Sequence, residues 1–124
     1  MATNTRANDL QQRLNRFATN IVSLSTQLRD SPEGRHIAQQ VLRSGTAAAP
    51  NYAEARSAES RSDFIHKLKV GLKELNETAT WLDIIRESFA VNSDFLSRLV
   101  AENQELCKIF VASIQTARLN REKD

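Results

Sequence analysis

Two histidines, one cysteine, a pair of glutamates and a scatter of lysines and arginines are the side chains in this chain that could do chemistry. Their spacing decides which chemistry is open to them. Helical bundles hold metals through inward glutamates combined with Glu-x-x-His pairs on facing helices. Neither His36 nor His66 is read as half of such a pair, and His36 reads as an exposed residue near the start of a helix. Glu74 and Glu77 stand one turn apart, but two carboxylates without a histidine make a poor ligand set. No metal and no cofactor are expected.

Nucleophilic chemistry fares no better. Cys107 sits between Leu106 and Lys108 in an apolar helical stretch, where a cysteine packs as a small hydrophobe. A reactive thiol needs a base nearby and an electropositive, accessible setting. Gly34, Gly45 and Gly71 are scattered, so no glycine-rich phosphate loop exists, and Ser44-Gly45-Thr46 lies within a helical pattern. The chain reads as a non-enzyme.

What remains is cationic. Arg13, Arg16, Arg43, Lys67, Lys69 and Lys73 have the reach to touch phosphates. Lys69 and Lys73 are four apart on one helical face, where like charges repel by a few tenths of a kcal/mol, about what an anionic partner would relieve. Lys73 and Glu77 are also four apart, which offers internal relief. No aromatic residues interleave with these bases in the manner that stacks single strands. Contacts would then read phosphates and shape, not base sequence. A second polar set punctuates the apolar stripes of the middle of the chain: Ser44, Asn51, Glu54, Glu74 and Glu77. These are expected to form a hydrogen-bonded network holding two helices in register, with Arg43 and Lys67 as alternative members, or else to face another subunit.

Helices must position these groups. Leu10, Leu14, Phe17, Ile21, Leu24 and Leu28 recur at alternating spacings of four and three, which predicts a helix over about 8–29. Ser31 and Pro32 mark the start of a second helix over about 32–60, with Ile37, Val41, Ser44, Ala48, Asn51 or Tyr52, and Ala55 on its core face. Pro50 lies inside that span and predicts a kink around 46–50, or two shorter helices split there. Ser62 or Ser60 caps a third helix over about 62–89, lined by Phe64, Leu68, Leu72, Leu75, Ala79, Leu82 and Ile85. A fourth runs over about 93–120 with Leu96, Leu99, Val100, Leu106, Ile109, Phe110 and Ile114 inward. Short loops make neighbours antiparallel. The expectation is an all-α, up-down-up-down four-helix bundle forming a single domain over 1–124.

Bulk properties agree. The chain has 124 residues, 40% hydrophobic and 26% charged, enough for one core without staples. One cysteine excludes an internal disulfide, the N-terminus is polar, and no apolar run approaches the ~20 residues that span a bilayer. A cytoplasmic protein with no membrane partner is expected. Net charge is +2. Residues 1–73 carry 11 Lys/Arg against 6 Asp/Glu, and residues 74–124 carry 6 against 9, so the first half is basic and the second acidic. A basic half points weakly to nucleic acid or an acidic protein surface.

Several segments carry a resemblance. They are Val41-Leu42-Arg43-Ser44-Gly45-Thr46, Asn51-Tyr52-Ala53-Glu54-Ala55, Ser62-Asp63-Phe64-Ile65-His66-Lys67-Leu68, Lys73-Glu74, Glu77-Thr78 and Trp81-Leu82. Lys108-Ile109, Ala112-Ser113-Ile114 and Thr116-Ala117-Arg118 extend it, over roughly residues 15–120. Together they resemble the bacterial four-helix-bundle family named for proteins encoded in intervening sequences of 23S ribosomal RNA genes. That family is related to the accessory variability determinant proteins of diversity-generating retroelements. The resemblance implies a homopentamer and a nucleic-acid-binding role, with RNA or DNA as partner. Two departures stand out. Where the family reads Gly/Ala-Thr-Ser-Ile-Gly-Ala-Asn after the serine, this chain has Thr46-Ala47-Ala48-Ala49-Pro50-Asn51. The charge per subunit is also modest, although five copies would gather about +10 on one ring. The competing expectation is a homo-oligomeric scaffold that docks another protein and has no nucleic-acid ligand.

Overall fold

Pro50 has no N–H to give the carbonyl of Thr46, and its ring crowds that carbonyl. The chain breaks there. In the computed structural model, which describes the backbone of residues 2–123 and the side chains of residues 5–120, the helical segments are α1 (Ala2–Thr26), α2 (Pro32–Gly45), α3 (Ala48–Arg56), α4 (Arg61–Ser88) and α5 (Ser93–Lys123). The segments α2 and α3 are halves of one helix bent at Thr46-Ala47. At the bend Ala47 N–H donates to the Ser44 carbonyl at 3.3 Å, a tightened turn, and Asn51 N–H restarts the ladder on Ala47 at 3.1 Å. Pro50 thereby falls in the first turn of α3, where a missing N–H costs nothing. The kink predicted around 46–50 is found at the start of that window. The fold is the expected four-helix bundle, with no strand among the described residues.

The caps follow the sequence. Ser31 Oγ accepts from Gly34 N–H at 3.0 Å, with Pro32 at the first helical position. Ser60, not Ser62, caps α4: its Oγ accepts from Asp63 N–H at 3.1 Å. Asn92 Oδ1 accepts from Phe95 N–H at 2.9 Å at the head of α5. The first helix ends at Thr26, short of the predicted 29, because Gln27 and Leu28 turn back in three-residue bonds of 3.0 and 3.2 Å. It also begins well before position 8, since the polar residues there carry no stripe for periodicity to detect.

The register of contacts is antiparallel throughout. Gly45 meets Ile21 while Ala49 meets Gln11, and Glu74 meets Arg43 while Lys67 meets Glu54. α1 packs on α2, α3 and α5, and α4 packs on the same three, so α1 and α4 occupy opposite corners of the bundle. The core between them is built from the predicted stripes: Leu14, Phe17, Ile21 and Leu24 from α1, Leu68, Leu75, Leu82 and Ile85 from α4, and Leu96, Leu106, Phe110 and Ile114 from α5. Each such side chain contributes about 1.5–3 kcal/mol by burial. Small residues let the bent helix approach closely. A Cβ on Gly45 would stand 2.8 Å from Ile21, and one on Gly71 would stand 2.6 Å from the Phe110 ring, so both contacts need glycine.

Polar groups also enter this core. Thr78 Oγ1 lies 2.9 Å from Ser44 Oγ across the α2–α4 seam and 2.8 Å from the Glu74 carbonyl. One hydroxyl proton serves one acceptor, so when Thr78 donates to the carbonyl, Ser44 supplies the proton between the hydroxyls. Asn103, fully buried between the leucines of α5, donates through Nδ2 to the Leu75 carbonyl at 3.0 Å.

Candidate nucleic-acid interface

The six cations nominated from the sequence do not form one surface. Arg13 and Arg16 belong to α1, Arg43 to α2, and Lys67, Lys69 and Lys73 to α4 on the opposite corner from α1. No flat partner can touch both corners of one subunit.

Three of the six are engaged. Arg13 is clamped by Glu102 of α5, with Nε and Nη2 donating to the two carboxylate oxygens at 2.6 and 2.7 Å. Those bonds raise the Arg13 pKa further and leave it a fixed cation. Arg43 lies between Glu74, at 2.9 Å from Nη1, and Glu77, which its Nη2 also contacts. Lys67 reaches Glu54 at 3.5 Å. Arg16, Lys69 and Lys73 are exposed and make no ion pair among the described residues.

The expected polar network resolves into separate contacts. Ser44 pairs with Thr78 in the core, Glu54 with Lys67 at the α3–α4 surface, and Glu74 and Glu77 share Arg43. Asn51 is half-buried near Gly71, while Tyr52 beside it takes the core position, its ring tilted 46° against Phe110 at 6.1 Å. Trp81 extends the Arg43 cluster by donating its indole N–H to Glu77 at 3.0 Å. The indole bond, and after it Arg43, hold the Glu77 carboxyl below its ordinary pKa, while the carboxylates raise Arg43.

A missed residue is Arg98. It lines a groove of about 450 Å³ between α1 and α5 together with Arg13, Arg16, Asn20, Phe95 and Glu102. Buried Phe17 and Leu99 form its floor. With Glu102 committed to Arg13, the groove keeps the charges of Arg16 and Arg98 unbalanced.

Glu33 and His36 do stand three apart, but both point outward on the first turns of α2. No group of three His, Cys, Asp or Glu side chains comes together among the described residues. Cys107 is half-buried, its thiol pushed up by that burial, with Sγ 3.6 Å from Asn76 Oδ1. No helix among the described residues is long and apolar enough to cross a membrane.

Comparison with known proteins places these features. Residues 6–112 match the model of the 23S rRNA-intervening sequence protein family. A solved structure, a protein of unknown function from the S23 ribosomal protein family of Bacteroides thetaiotaomicron VPI-5482, is similar over 88% of this chain and 97% of its own. The two share 32% identity and superpose with a TM-score of 0.81. No curated protein matches the chain.

Proposed function

The chain belongs to the 23S rRNA-intervening sequence protein family, and on that premise we propose that it is a non-enzymatic, oligomeric cytosolic protein that meets nucleic acid through phosphate contacts. The observation that carries this reading is the Lys69–Lys73 pair. Two exposed ammonium groups stand one turn apart on α4; neither has a carboxylate within ion-pair distance among the described residues, and only Lys73 has one near enough, Glu77, to feel its charge. A phosphate backbone is a ligand that relieves such a pair, and it gains affinity by releasing counterions. The family name ties its members to ribosomal RNA intervening sequences, and a pentamer is what the resemblance read from the sequence implies. Five copies would repeat the α4 pair around a ring and multiply a weak contact.

The test is fluorescence anisotropy with labelled structured RNA, duplex DNA and single-stranded DNA across a salt series. Binding that falls steeply with salt for all three is expected, and K69E/K73E should weaken it and flatten the salt slope by about two phosphate contacts. Affinity and slope unchanged in that variant would remove the assignment.

A second reading rests on a different observation. Val22, Ile84, Val111 and Leu119 are large aliphatic side chains exposed at 46%, 38%, 41% and 59%, apolar area that contact between copies would cover. They suit a homo-oligomeric protein scaffold. No nucleic-acid binding at low salt, together with an oligomer mass by light scattering, would favour that reading.

A further inference from the structure

The α4 lysines leave the α1–α5 groove unused, and the groove is built differently from an ordinary charged surface. Its cations come from two helices. Arg16 is one turn from Arg13 on α1, and Arg98 is one turn from Glu102 on α5. Glu102 would ordinarily neutralise Arg98, its i+4 neighbour. Both of its oxygens are instead taken by Arg13 at 2.6 and 2.7 Å. The Arg13–Glu102 clamp fixes the wall of the groove and leaves Arg16 and Arg98 with no ion pair among the described residues. Guanidinium forks match phosphate oxygens two at a time, which an ammonium group cannot do. Between the arginines lies apolar surface: half-buried Phe95 over buried Phe17 and Leu99. Asn20 adds an exposed amide at the rim, able to donate and to accept. At about 450 Å³ the space fits a small ligand and not a helix.

We propose that this groove seats one nucleoside monophosphate unit, its phosphate held by Arg16 and Arg98 and its base against Phe95. The combination of paired forks, an aromatic face and an amide recognises an anion carrying a flat ring. A bare phosphate would leave the apolar floor wet, and a bare carboxylate would satisfy only one arginine. The assignment deepens the nucleic-acid reading, on which it rests, by naming a place where one unit of a strand would stack. The same chemistry is offered by a free nucleotide.

The experiment titrates the full chain with adenosine and uridine monophosphates and with inorganic phosphate, following backbone amide shifts by NMR. An eight-nucleotide single-stranded RNA is titrated in parallel. R16Q/R98Q and K69Q/K73Q are compared with the parent chain, all four positions being exposed, and circular dichroism confirms the fold. Saturable shifts confined to residues around Arg16, Asn20, Phe95 and Arg98 are expected, with inorganic phosphate binding at least tenfold more weakly. R16Q/R98Q should lose at least tenfold in nucleotide affinity, and K69Q/K73Q should lose none. Absent nucleotide shifts, equal affinity for inorganic phosphate, or unchanged affinity in R16Q/R98Q would each overturn the groove. RNA affinity that depends on Lys69 and Lys73 but not on Arg16 and Arg98 would overturn the groove and leave the phosphate reading standing. Nucleotides bound in the groove with no RNA binding at any salt would keep the site, assign it to free nucleotides, and remove the nucleic-acid reading.

Discussion

The α1–α5 and α2–α4 seams each join antiparallel helices with an arginine–carboxylate bridge, yet they end with different charge. At the first seam Arg13 takes a whole carboxylate, both oxygens of Glu102, and Arg16 and Arg98 are left over. At the second, Arg43 is divided between Glu74 and Glu77, and the Glu77 carboxyl also feels Lys73, so the charges come close to balance. Beneath them the difference continues. The α1–α5 seam lies over aromatic and aliphatic packing from Phe17 and Leu99, while the α2–α4 seam covers the buried Ser44–Thr78 hydroxyl pair. One seam is held by shape and leaves its polar groups free for a ligand. The other spends its polar groups on register.

The largest break of that contrast is Phe17→Ala. Removing a side chain only 2% exposed should cost about 3–5 kcal/mol in urea unfolding. It should also open the groove floor, so nucleotide affinity should fall even at temperatures where the variant stays folded. A cost below that of the polar substitutions described next would mean that the α1–α5 seam is not held by packing.

The second is Thr78→Val, which keeps the shape and removes the hydroxyl. It strands the buried Ser44 hydroxyl, at a cost of about 1–3 kcal/mol. Ser44→Ala should cost less, because Thr78 still has the Glu74 carbonyl. The double variant should then recover part of the loss, a coupling that a double-mutant cycle measures directly. Additive costs would show that the two hydroxyls do not fix the register.

How far the sequence reaches is visible in the same two seams. The helix stripes, the Ser31–Pro32 start and the bend ahead of Pro50 are local, set by periodicity and backbone chemistry within a few residues. They were legible for that reason. Ser44 stood out because a serine in a small-residue stripe has to find a partner. The α1–α5 groove was not legible. Arg13 and Glu102 are 89 residues apart, and nothing short-range marks them as a pair. Neither Arg98 nor Phe95 carries a short-range signal that singles it out; antiparallel packing is what sets them beside Arg16. The absence of aromatics interleaved with bases along the chain was real, but packing supplies the adjacency that sequence order lacks. Asn103 was passed over because it interrupts a leucine stripe whose period survives without it.

Glu102→Gln sharpens the contrast more finely. It weakens a bidentate bridge that is about one-third exposed, so the loss should be near 1 kcal/mol once solvent screening is allowed for. It also removes the only acid lining the groove, and nucleotide affinity should rise several-fold as stability falls. Stability and affinity moving in the same direction would mean that the clamp shapes the groove more than it frees the arginines.

The smallest effect belongs to Glu77, and its sign is fixed by the direction of its pKa. Its carboxyl is held low in the folded chain, so the stabilisation is fully present above the unfolded value of about 4.3 and is lost as pH falls through the lower folded value. Because the Arg43 side chain is 52% exposed, the expected gain is a few tenths of a kcal/mol, in line with surface pairs of roughly 0–1 kcal/mol. Parent and E77Q should therefore differ by a constant small amount near neutral pH and converge in acid below the ordinary carboxylate range. Trp81→Phe tests the cause. The indole N–H bond is the largest single influence on Glu77, and Arg43 acts both by hydrogen bond and by charge, so removing the indole should move the acid limb part of the way toward the ordinary carboxylate range while the ion pair persists. If Trp81→Phe leaves that limb unmoved and R43Q shifts it, the ion pair and not the indole holds the carboxyl low.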